Sequence, residues 1–150
     1  AADVVVDLVG VKPGQVQGLN HVDKGDSFPI DKLLDEISPD DYDAVVLPGG
    51  AVNADGLRVS KAAQDFVTAM DEAKKPVAAI CHAAWLLVSA GLLKGRTLTS
   101  YPTIRDDLEN AGATWVDKTV NVDDNLITSR NPNDIPAFSA AILAALAHRA

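Results

Sequence analysis

Short apolar runs alternate with amphipathic stretches along the chain. Val4 to Val9 and Val45-Val46-Leu47 have the compact apolar character of buried strands, the second closed by Pro48-Gly49-Gly50. Lys61 to Lys74 reads as a helix, with Phe66 and Met70 spaced i, i+4 on one face beside Ala63 and Val67. Val77 to Ile80 is a further strand, and a helical stretch starts immediately after Cys81 and runs to a capping Gly91. Thr97 to Ser100 begins another strand. Ile104, Leu108 and Ala111 fit a short helix ended by Gly112. Ala113 to Val116, Thr119 to Val122 and Leu126 to Thr128 have β character, the last two joined through Asp123-Asp124-Asn125. Pro136 opens an alanine-rich helix with Phe138, Ile142 and Leu146 on one stripe. Strands alternating with helices predict an α/β fold built on a mostly parallel sheet.

The stretch from Lys12 to Ser38 breaks this rhythm. Pro13-Gly14, Gly18, Gly25 and Pro29 punctuate it, yet Val16, Leu19, Phe28 and Ile30 make it too apolar for a disordered tail. It reads as an ordered excursion containing a short β-hairpin. No repeat, low-complexity tract or linker interrupts the chain, which predicts a single α/β domain over residues 1–150.

Composition narrows the function classes. A 150-residue chain can bury a core without staples. The net charge of −8 argues against a nucleic-acid partner, which needs a clustered basic surface. No apolar run approaches the roughly 20 residues that span a bilayer, so no membrane partner is expected. His21, His82 and His148, with one cysteine, have no metal-ligand spacing, so neither a metal nor another cofactor is expected. A single cysteine excludes an internal disulfide and fits a cytoplasmic setting.

That cysteine, Cys81, carries the chemistry. It stands where the strand Val77–Ile80 ends and a helical stretch begins, the strand-to-helix junction of a nucleophile elbow. Unpaired N–H groups at a helix start favour an anion there. A thiolate attacking a carbonyl makes an oxyanion, which needs N–H donors aimed at it. The N–H of His82 is one candidate. Pro48-Gly49-Gly50, at the end of what should be a neighbouring strand, can supply Gly50 as the other, because glycine lets backbone approach a ligand closely. Taken singly, a free cysteine is as often a small buried hydrophobe, and a Gly-Gly pair is most often a tight turn. The combination points to a site.

The ordered set Leu47-Pro48-Gly49-Gly50, Ala79-Ile80-Cys81-His82, Thr99-Ser100-Tyr101-Pro102 and Ser129-Arg130-Asn131-Pro132-Asn133-Asp134 resembles the PfpI/ThiJ superfamily, and within it the intracellular-peptidase and general-stress-protein branch. The stretches from Gln17 to Asp26 and from Ser38 to Asp43 support the likeness, which covers essentially the whole chain. It implies a flavodoxin-like sandwich, related to class I glutamine amidotransferases, with helices on both faces of the sheet. It also implies that Cys81 is the reactive nucleophile and His82 its partner in a dyad or triad. Gly49 and Gly50 would help form the oxyanion site, with Tyr101 near the cysteine. The family's activities imply a peptide or small-molecule substrate: a hydrolase acting on peptide bonds, or on glyoxals and glycated groups. The alternative is a redox-sensing or chaperone stress protein whose cysteine is oxidised without turnover. A homodimer or hexamer is implied as well.

Two departures from the pattern stand out. Family members begin with a further strand and helix, carrying a glutamate that contacts the cysteine. Glu36, Glu72 and Glu109 match other parts of the pattern, so none is carried over as that acid. The expectation is roughly 30 further residues ahead of Ala1, about one β-α unit. Ala83 also stands where many members have glycine. Within one subunit, His82 is expected to reach a thiol on the adjacent residue poorly.

Overall fold

A computed structural model describes residues 3–148. The chain forms two compact units, the first ending at Asp41 and the second starting at Tyr42.

The first unit holds strands β1 (Val9–Gly10), β2 (Gln15–Asn20), β3 (Asp23–Pro29) and β4 (Lys32–Leu33). β2 and β3 form the expected hairpin, turning at His21 and bulged between Gln17 and Leu19. The strand expected over Val4 to Val9 is shorter than its apolar run suggests. Ladder partners exist only for Val9 and Gly10, opposite Lys32 and Leu33 of parallel β4, and Val5 and Val6 are exposed.

The second unit is the α/β body. Strands β5 (Val45–Leu47) and β6 (Val77–Ile80) are followed by β7 (Thr97–Leu98), β8 (Thr114–Trp115), β9 (Val120–Asp123) and β10 (Leu126–Ser129). One sheet runs β5-β6-β10-β9, with β5, β6 and β10 parallel and β9 antiparallel to β10. β7 and β8 pair with each other instead. Side chains of β9 account for that: Asn121 donates to the Thr97 carbonyl at 2.9 Å, and Asp123 accepts from the Thr97 N–H at 2.7 Å.

Helices α1 (Ala51–Arg58), α2 (Lys61–Glu72), α3 (Ala84–Ser89), α4 (Arg105–Asn110) and α5 (Ile135–Ala147) connect the strands. Ser60 caps α2, accepting from the Ala63 N–H at 3.3 Å. Ala63, Val67 and Met70 form its buried stripe, as the i, i+4 spacing predicts. On one face of the sheet Ala78 and Ile127 pack against Phe138 of α5, with Ile142 and Ala145 beside them. Strand residues alternate between faces, so Val77 and Leu126 turn the other way, toward Leu87 of α3 and Asp71 of α2. Helices therefore lie on both faces, and the flavodoxin-like α/β expectation holds.

Registration matters most for function. Leu47 pairs with Ala79, and Ser129 pairs with Ile80. The parallel strands thus end together, and the loops leaving them carry Gly49-Gly50, Cys81 and Arg130. This carboxyl edge is where open α/β sheets bind ligands.

Candidate active site

Cys81 is the first residue beyond β6, and it adopts φ +64°. A single-turn 3-10 segment, Cys81–Ala83, then leads into α3. Left-handed backbone costs a residue with a Cβ about 1–2 kcal/mol, so the surroundings must hold it there. The Tyr101 N–H donates to the Cys81 carbonyl at 3.1 Å, tying the elbow to the loop after β7. On the other side stands Gly49. A Cβ on Gly49 would lie 2.6 Å from Cys81 Cβ and 3.4 Å from Sγ. No side chain fits there, which is the physical reason for glycine at this position. Gly50 follows at φ +90° and opens α1, and Asn53 of that helix donates to the Gly49 carbonyl at 3.4 Å.

The left-handed turn also corrects the expectation about His82. Cys81 Sγ lies 3.2 Å from His82 Nδ1, within hydrogen-bonding reach for sulfur. In extended or right-handed backbone, adjacent side chains diverge; the φ of Cys81 brings these two together. The imidazole is held on its other edge as well, where Nε2 lies 3.4 Å from Thr103 Oγ1. Its face stacks on Tyr101, with ring centroids 4.8 Å apart and planes 25° apart. Its flank meets the Trp85 ring at 5.3 Å, near-perpendicular at 68°. Burial pushes the imidazole pKa below its ordinary value of 6.5, so the ring is neutral at neutral pH. In the tautomer that carries its proton on Nε2, donated to Thr103, Nδ1 would present its lone pair to the thiol.

The structure thus brings Gly49, Cys81, His82 and Tyr101 together and places Gly50 on the adjoining turn. Trp85 and Thr103 belong to the same cluster. Trp85 sits three residues past His82, a spacing that puts both on one helical face. No sequence signal marks Thr103. Arg130 structures its own loop: it bonds both carboxylate oxygens of Asp134 at 2.9 and 3.0 Å and reaches Asp117 at 2.7 Å. Those contacts hold the Asp134 carboxyl below its usual range and the guanidinium above its own. Trp115 packs under the Arg105 guanidinium and donates to Ser100 Oγ at 3.0 Å. Glu36 accepts from the Leu33 N–H, and Glu109 pairs with Arg105. Among the described residues, no group of three or more His, Cys, Asp or Glu side chains is placed to hold a metal ion. Nor, among them, is any helix long and apolar enough to cross a membrane.

Comparison with known proteins decides the family. The DJ-1/PfpI family model matches residues 1–145. The chain belongs to the DJ-1/PfpI family. Deglycase PfpI of Pyrococcus furiosus is 46% identical over 114 residues, covering 76% of this chain and 68% of that protein. General stress protein 18 of Bacillus subtilis is 48% identical over 118 residues, covering 78% and 68%. Among solved structures, a two-domain protein from Anabaena variabilis with DJ-1/ThiJ/PfpI-like and ferritin-like domains superposes with a TM-score of 0.91. Its identity is 35%, and the match covers 97% of this chain and 41% of that one. The family resemblance drawn from the motifs, and the fold it implied, both hold.

Proposed function

We propose that this DJ-1/PfpI chain is a cysteine-dependent enzyme acting on carbonyl compounds, of the deglycase or peptidase type. The observation that carries this reading is the left-handed Cys81, with Sγ 3.2 Å from a neutral His82 Nδ1. His82 Nδ1 takes the thiol proton, and the sulfur lone pair attacks the carbonyl carbon of an aldehyde or amide. The carbonyl π electrons move onto oxygen, where the N–H groups of Gly50 and His82 receive the charge. With an amide, the proton on Nδ1 then passes to the leaving nitrogen, and water hydrolyses the resulting thioester. With a glyoxal or its adduct, the same attack gives a hemithioacetal, whose oxygen accepts the proton. The deglycase name of the Pyrococcus relative favours the glyoxal and glycated-group branch.

The stress-protein name of the Bacillus relative favours a second reading, in which oxidation of Cys81 is the output. Turnover separates the two. Steady multiple turnover of methylglyoxal or a peptide, abolished by Cys81→Ala, supports the enzyme. Undiminished turnover in Cys81→Ala, or a single stoichiometric event in the native chain, overturns it.

A further inference from the structure

We infer that Trp85, braced by Asp107 and Arg58, is a positioning residue for the His82 ring. This inference rests on the reading of Cys81 and His82 as the working pair. A histidine has two rotatable side-chain bonds, so proximity to a thiol does not by itself aim Nδ1. Tyr101 covers one face of the imidazole, and Trp85 meets its flank. Between them they fix the plane of the ring, and within that plane the contacts to Sγ and Thr103 favour the flip with Nδ1 toward Sγ and Nε2 toward Thr103.

Trp85 can act as a wall only if it is itself immobile, and side chains from two other helices hold it. Its indole N–H donates to Asp107 Oδ2 of α4 at 2.8 Å. The Arg58 guanidinium, at the end of α1, lies over the indole 5.3 Å from its centroid. Arg58 is anchored in turn, donating from Nε to Ser89 Oγ of α3 at 3.1 Å. The ionisable groups around the imidazole and its wall are therefore Cys81 on the elbow, Tyr101 on the loop after β7, Arg58 on α1 and Asp107 on α4. The core does not depend on the Asp107 brace: Asp107 is exposed, and an exposed hydrogen bond adds little to stability. Its use lies in the site.

The test compares Asp107→Ala, Asp107→Asn and Trp85→Phe with the native chain. Readouts are kcat and KM for methylglyoxal, the imidazole nitrogen chemical shifts of His82, and thermal stability. Asp107→Ala and Trp85→Phe are expected to lower kcat about tenfold at nearly unchanged KM, because a misaimed base loses part of its orientation advantage. The His82 nitrogen shifts should move toward a mixture of tautomers, while the melting temperature stays near the native one. Asp107→Asn keeps an oxygen for the indole N–H and should restore both readouts. Native kcat and native shifts in Asp107→Ala, or a loss that Asp107→Asn fails to repair, would overturn the inference. His82→Asn tells the two levels apart. If it abolishes turnover while Asp107→Ala does not, the positioning role alone falls; if it turns over like the native chain, the paired reading falls with it.

Discussion

Strands β6 and β10 lie side by side, parallel and in register, and end at Ile80 and Ser129. The residue that follows each is Cys81 in one case and Arg130 in the other, yet the two turns are built on opposite terms. Arg130 is saturated: Asp134, Asp117 and Thr119 take its guanidinium, and Asp134 also accepts from the Arg130 backbone N–H at 3.0 Å. Cys81 sits in strained backbone, held by Gly49 and one bond to Tyr101, and among the described residues its sulfur has a single weakly bonding partner, His82 Nδ1. The first arrangement lowers the energy of the folded chain. The second raises it locally and leaves a thiol with spare bonding capacity. Two turns at the same carboxyl edge thus differ in spare bonding capacity, and the proposed reaction needs the kind that the Cys81 turn keeps.

The contrast can be broken most forcefully at the sulfur. Cys81→Ala should lower turnover by more than about a thousandfold while the folded chain persists, as a steady-state assay beside a thermal melt will show. Arg130 should behave in the opposite sense. Asp134→Ala removes the carboxylate, only 4% exposed, that accepts from the Arg130 guanidinium and backbone N–H, and should lower the denaturant midpoint measurably. In that variant the rate of Cys81 alkylation should stay close to native. Gly49→Ala tests the contact between the two loops at the elbow. Its Cβ would overlap Cys81 Cβ, so about 2 kcal/mol of stability and most of the turnover should be lost together.

The smallest effect is on pH. Burial lowers the His82 pKa from 6.5, so the unfolded chain binds a proton more readily than the folded one. Stability should fall slightly as pH drops through 6.5 toward the lower folded value, and His82→Gln should flatten that slope. Asp134 acts in a lower window. Arg130 depresses its pKa from 3.8, so its contribution is present above that value and is lost as pH falls through the folded one. Denaturant midpoints measured at stepped pH separate the two contributions.

Most of the second unit was legible from spacing. The stripe Ala63, Val67 and Met70 marked α2, and Pro136 with Phe138 and Ile142 marked α5. Helix α1 was not anticipated, because its sequence includes Gly56 and it buries only Ala54. Contacts with α3 and the elbow settle it rather than an apolar stripe of its own. Among site residues, Cys81 and Gly49 were visible because a strand boundary and a Gly-Gly turn leave marks in one dimension. The reach of His82 was invisible. It depends on a positive φ at Cys81, and cysteine carries no preference for that conformation. Trp85 gains its place from Asp107, 22 residues away, a contact that no local spacing marks.

The central claim is that Cys81 and His82 work as a pair. The pH dependence of kcat/KM for methylglyoxal, compared between the native chain and His82→Asn, tests it most directly. A neutral imidazole base predicts a native acid limb below 6.5, and a His82→Asn profile that is both strongly depressed and free of that limb. Equal rates with the same limb in both proteins would contradict the pairing.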